Sequence, residues 1–139
     1  RLDSLQAIVG NHLISDVEWI TQQRINHAQK LDIAFKGLSQ VITIPPKDIN
    51  EKCVYHMYML LVENRDALNE YLKSKGISSK IHYPIPLHLQ QASHHLGYKL
   101  GDFPVAESQA KNIITLPVHQ HLTADEIDYM IQAVNEFYL

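Results

Sequence analysis

Hydrophobic positions recur at three- and four-residue steps over the first part of the chain. Leu2, Leu5, Val9, Leu13, Val17 and Ile20, then Ala28, Leu31, Phe35 and Leu38, trace one side of a helix. Asp3-Ser4-Leu5-Gln6 supplies a capping box, with a short acceptor at the cap and a glutamine three residues on. Gly10 weakens the helix by roughly 1 kcal/mol relative to alanine, and Arg24 interrupts the apolar stripe. The pattern predicts one long helix, or two joined at a kink, ending near Gly37.

The period then changes. Residues 41–44 read as a short strand stopped by Pro45-Pro46. Residues 53–62 are apolar on both alternate faces, which predicts a strand covered on both sides and central in its sheet. Asn64 is suited to cap a helix over 64–75, with Leu68, Tyr71 and Leu72 inward; Lys73 and Lys75 suit its negative end, and Gly76 its left-handed stop. A strand over 77–82 and a short helix within 87–96, closed by Gly97, follow. Pro104 opens another helix to about Asn112. Residues 113–116 form a strand ended by Pro117, and Thr123-Ala124-Asp125-Glu126 caps a last helix with Ile127, Met130, Ile131, Val134 and Phe137 on one side. The order predicts an α+β domain: a small, mainly antiparallel sheet with packed helices and a long N-terminal helix.

Composition bounds this picture more than it changes it. The chain has 139 residues, 45% of them hydrophobic and 19% charged, which fits one domain with a real core. A net charge of −3 argues against nucleic acid or an anionic membrane as the main partner. No apolar run reaches the ~18 residues of a membrane span, and no signal peptide is visible, so a cytoplasmic placement is expected. Cys53, the single cysteine, lies in an apolar run and is expected to be buried and inert. The chain opens on Arg1-Leu2-Asp3, already helical and without methionine, and reads as a piece of a longer protein.

Chemistry is concentrated after Gly76. His82 and Tyr83 fall at the end of the strand over 77–82, where the backbone is fixed and side chains can face a cleft. His82, His88, His94, His95, His119 and His121 are dense enough to raise a zinc site. Yet His94 and His95 are adjacent, about 100° apart on a helix, and neither a His-Glu-x-x-His run nor a second cysteine exists. Structural or surface histidines are the better reading. His56 shares a strand face with Tyr58, as a core or interface histidine would. No Ser/His/Asp set can be picked out and no glycine-rich phosphate loop is present; Asp125, Glu126 and Asp128 read as first-turn dipole partners. Arg1 offers a fork of donors suited to a phosphate or carboxylate.

Arg1-Leu2-Asp3-Ser4-Leu5-Gln6-Ala7 resembles a segment of the DegT/StrS-type nucleotide-sugar aminotransferases, and further matches follow in order. Arg24 falls in that family's helical run, Tyr55-His56-Met57-Tyr58 resembles its central strand, and Asn64-Arg65-Asp66-Ala67-Leu68 a helix start. The run from Gly76-Ile77 through His82-Tyr83-Pro84 and Pro86-Leu87-His88 to Gln90, then Gly101-Asp102-Phe103-Pro104-Val105-Ala106-Glu107 and Leu116-Pro117-Val118-His119, complete the set.

The resemblance covers the whole chain. It implies that residues 1–139 are the small C-terminal domain of a fold-type-I enzyme that uses pyridoxal phosphate (PLP). It also implies a homodimer, a keto-sugar nucleotide substrate and glutamate or glutamine as amino donor. The Schiff-base lysine would lie upstream, since no lysine of this chain sits in that motif, so this piece alone is expected to be inactive. Arg1, His82 and Tyr83 would contact the nucleotide-sugar and His88 would support them. A deoxysugar 3-dehydratase of the same architecture, a noncatalytic nucleotide-sugar-binding regulatory module and a metal-binding domain stand as alternatives.

Overall fold

The structure, a computed structural model, describes residues 2–43 and 50–139. Helix α1 (Ser4–Leu13) starts on the predicted capping box: the Asp3 carboxylate accepts the Gln6 backbone N–H at 2.8 Å, and the Asp3 N–H donates to the Gln6 side chain at 3.3 Å. The long helix is two. A 3-10 turn, Ile14–Asp16, separates α1 from α2 (Val17–Phe35). The break lies beyond Gly10, where the Ser15 hydroxyl donates back to the His12 carbonyl at 3.2 Å. Such back-bonding competes with the helical ladder.

Three antiparallel strands form the sheet in the order β1 (Val41–Thr43), β2 (Tyr58–Val62), β3 (Ile113–Leu116). The central place expected for the apolar strand is correct, but its length is not. Only 58–62 pair; Tyr55 has a left-handed backbone (φ 46°), and the Arg24 guanidinium takes the Tyr55 and His56 carbonyls at 3.1 and 3.2 Å. The left-handed turn at Tyr55 breaks the extended run, and the Arg24 bonds hold its carbonyls toward α2. Cys53, just upstream, is therefore exposed rather than buried. Ile44 and Pro45-Pro46, expected to finish the first strand, lie outside the described residues.

Helix α3 (Arg65–Ser74) ends as expected on Gly76 (φ 77°), where the Ile77 N–H reaches back to the Leu72 carbonyl at 2.9 Å. Its start differs: Asn64 is itself left-handed (φ 51°) and makes no side-chain cap. The predicted strand over 77–82 is reduced to one bridge, Lys80 with Thr115, because the Ser79 N–H turns back onto the Ile77 carbonyl at 2.9 Å. Residues 87–96 form two 3-10 turns, Leu87–Leu89 and Gln91–Leu96, closed by Gly97 (φ 75°). Helix α4 (Pro104–Asn112) and β3 follow the predicted bounds. In α5 (Ala124–Tyr138) the Glu126 N–H donates to the Thr123 hydroxyl at 3.2 Å and the Thr123 backbone N–H donates to the Glu126 carboxylate at 2.8 Å.

The core lies between one sheet face and α2, α3 and α5. Tyr58, Leu60, Val62, Ile114 and Leu116 meet Leu31 and Phe35, Leu68 and Leu72, and Ile127, Met130 and Val134, all buried. Buried Arg65 donates to the Ala110 and Ile113 carbonyls, each at 3.1 Å, and so fastens the start of α3 to the end of α4. By contrast α1 buries no residue. No helix of the described residues is long and apolar enough to cross a membrane.

Candidate functional site

A cavity of about 840 Å³ opens where the α3–β3 bridge segment, the ends of β2 and β3 and the first turn of α5 converge. Ile77, Leu116 and Met130 give it an apolar floor, while Arg24, His56, Lys80, His82 and His119 bring nitrogen donors to its walls. Asp125, Glu126 and Tyr129 stand on the α5 side. The mixture suits a ligand with an apolar face and several oxygens.

His82 is held there by local chemistry. Lys80 pairs with Thr115 through two backbone hydrogen bonds, at 3.0 and 2.8 Å, and two residues later the His82 ring places Nδ1 2.9 Å from the Thr115 hydroxyl. Buried Ser79 donates to Asn69 Oδ1 at 2.9 Å, so the segment is anchored on both sides. Tyr83 is left-handed (φ 55°) immediately before Pro84, and 76% of its surface is exposed. A tyrosine in that region stores about 1–3 kcal/mol of strain, and the result is a phenol turned outward beside the His82 ring. Tyr83 does not line the cavity.

His88 lies elsewhere. It is buried with Nε2 3.0 Å from Glu107 Oε1 and its ring 4.7 Å from that of Phe103. Burial alone would raise the Glu107 carboxyl, but N–H donors from Gly101 (2.8 Å) and Phe103 (3.3 Å), with His88, hold it below the usual carboxylate range. The cluster pins the loop ahead of α4. The structure thus puts His82 in the cavity, Tyr83 beside it and His88 in a separate brace; Arg1 lies outside the described residues.

Other histidines gather on α2 and the loop before α5. Burial lowers the pKa of His27, whose Nδ1 has no hydrogen-bond partner; a backbone hydrogen bond at His119 acts in the opposite direction. His119 Nδ1 accepts the His121 N–H at 3.3 Å, and the His121 ring lies 5.9 Å from Trp19. Among the described residues no group of three or more His, Cys, Asp or Glu side chains is placed to hold a metal ion. Sequence reasoning did not select Arg24, Lys80, Thr115 or His119 for the site. Arg24 left a trace as the charge that breaks the α2 stripe, and His119 as one of the clustered histidines and the end of the Leu116-Pro117-Val118-His119 motif; Lys80 and Thr115 left none. Arg24 donates to Gln120 Oε1 at 3.2 Å as well as to the two carbonyls before β2, and so ties both cavity edges to one helix.

Residues 1–135 match the DegT/DnrJ/EryC1/StrS aminotransferase family. The chain belongs to that family. A Saccharopolyspora erythraea relative, the erythromycin biosynthesis sensory transduction protein EryC1, is 36% identical over 94% of this chain and 36% of its own length. The dTDP-3-amino-3,4,6-trideoxy-alpha-D-glucose transaminase of Streptomyces venezuelae is 31% identical over 99% of this chain and 36% of its own. The crystal structure of S. venezuelae DesV in complex with a ketimine intermediate superposes with a TM-score of 0.93, at 30% identity, over 99% of this chain and 37% of that one. The chain therefore spans little more than a third of the length of these DegT-family relatives. The family's cofactor is PLP, which needs a lysine shielded enough to form an imine; among the described residues every lysine is exposed. The described residues do not by themselves form a cradle for it.

Proposed function

We propose that this chain is the small C-terminal domain, residues 1–139, of a fold-type-I, PLP-dependent aminotransferase that aminates a keto-sugar nucleotide with glutamate or glutamine as donor. The observation that carries the reading is the near-complete match to DesV, a structure holding a ketimine, over 99% of this chain but 37% of the larger one. PLP, bound outside this chain, supplies the electron sink for the transfer. Within the chain, His82 presents ring nitrogen to sugar or phosphate oxygens from a half-buried position, and Tyr83 adds a hydroxyl at the rim. His88 acts indirectly, by bracing the loop through Glu107, and Arg1 binds the anionic part of the substrate. The parent enzyme is a cytoplasmic homodimer whose apolar α1 surface is covered by the rest of the protein, and the isolated domain does not transaminate.

The test uses the longer polypeptide that carries this chain. It is loaded with PLP, reduced with borohydride and mapped by mass spectrometry. A pyridoxyl group on one lysine outside residues 1–139 is expected. PLP retained without a covalent adduct contradicts the aminotransferase and fits a dehydratase. The relative named as a sensory transduction protein favours a second reading, a regulatory module; nucleotide-sugar binding with no PLP at all would select it.

A further inference from the structure

Thr115 is 8% exposed on β3, and its hydroxyl has one partner among the described residues, the Nδ1 of His82 at 2.9 Å. The direction of that bond follows from counting. If the ring N–H pointed at Thr115, the hydroxyl hydrogen would have no acceptor among the described residues, which costs more than an unused lone pair. That count favours the hydroxyl as donor to Nδ1, with the ring hydrogen on Nε2. That nitrogen has no protein partner among the described residues, and the His82 ring lines the cavity. The backbone of Thr115 also exchanges both hydrogen bonds with Lys80, so one residue fixes the ring's approach and its tautomer.

We propose that Thr115 is a positioning residue for the site: its hydroxyl holds His82 as the Nε2–H tautomer, turned to donate one hydrogen bond to an oxygen of the bound nucleotide-sugar. The inference rests on the reading above for the ligand, but not for the tautomer. Nothing else on β3 performs this role, because the neighbouring Ile114 and Leu116 are buried apolar residues. Threonine to valine is close to isosteric and suits a strand, so Thr115→Val retains the fold while removing the donor.

The experiment compares wild type, Thr115→Val and Thr115→Ser in the intact polypeptide that carries this chain, with selectively 15N-labelled histidine. Two readouts are taken: the His82 ring nitrogen shifts, and the Kd for dTDP-3-amino-3,4,6-trideoxyglucose by calorimetry. Wild type is expected to show an Nε2–H ring. In Thr115→Val the two nitrogens move toward tautomer averaging and the Kd rises about fivefold. Thr115→Ser restores both. His82 shifts that are unchanged in Thr115→Val, or a serine variant as impaired as valine, overturn the inference. Ring shifts that move as expected, with a Kd that neither Thr115→Val nor His82→Ala alters, support the positioning role and instead overturn the nucleotide-sugar reading of His82.

Discussion

Helices α1 and α5 begin in the same way and end up in opposite environments. Each opens on a reciprocal capping box, Asp3 with Gln6 and Thr123 with Glu126. Each carries apolar residues at helical spacing. Yet α5 buries Ile127, Met130, Ala133 and Val134, while Leu5, Ile8 and Val9 of α1 are 77%, 65% and 56% exposed. Capping and periodicity are local and decide that a helix forms; what covers its apolar side is a tertiary fact. A run of exposed apolar residues on this scale marks a contact surface, and the proposed large domain is its occupant.

Truncation breaks the comparison most sharply. Ile127→Ala, at a fully buried position, is expected to cost about 3 kcal/mol in urea unfolding of the chain, whereas Ile8→Ala stays within about 0.5 kcal/mol. In the longer polypeptide Ile8→Ala should cost more than in the isolated chain. Equal costs in both contexts would remove the large domain as the cover for α1.

Next in size is Arg65→Ala, which leaves the Ala110 and Ile113 carbonyls unpaired in the interior and should cost about 2 kcal/mol. The two caps separate more finely. Thr123→Ala is expected to lower global stability by about 1 kcal/mol, while Asp3→Ala only frays α1, visible as faster hydrogen exchange there.

The smallest effect is a pH dependence. Burial lowers the pKa of His27 below its ordinary 6.5, so as pH falls through 6.5 the unfolded chain takes up a proton the folded chain refuses. Stability therefore declines from about pH 6.5 down to the lowered folded value. The cation of Lys30 and the ring of His119 on the neighbouring loop reinforce the shift. His27→Gln should flatten that part of a melting-temperature profile. Glu107, Glu126 and Glu136, all held below 4.5, contribute stability that is present above that value and lost as pH falls through their lowered pKa values.

The sequence was most legible where local signals are self-contained. Pro104, Gly97, Gly76 and the Thr123–Glu126 box mark ends that the structure keeps. It was least legible where a distant side chain intervenes. The chain turns left-handed at Tyr55, where Arg24 reaches the carbonyls of Tyr55 and His56 from 31 and 32 residues away, so the central strand starts only at Tyr58, and no period in 53–62 encodes that. The site divides likewise. His82 and Tyr83 stand out in sequence as the end of a predicted strand, which the structure reduces to the Lys80–Thr115 bridge, but Thr115 reads as one more β-branched strand residue until its hydroxyl is found against His82. His88, drawn into the same motif by sequence, belongs to the Glu107 brace.

The central claim is that His82, in the cavity beside Thr115, recognises a nucleotide-sugar. Calorimetric titration of the longer polypeptide with dTDP- and UDP-linked 3-amino sugars, wild type against His82→Ala, tests it most directly. The account predicts that at least one binds and that His82→Ala weakens it about tenfold. Binding that His82→Ala leaves unchanged, or no binding by any of them, would contradict it.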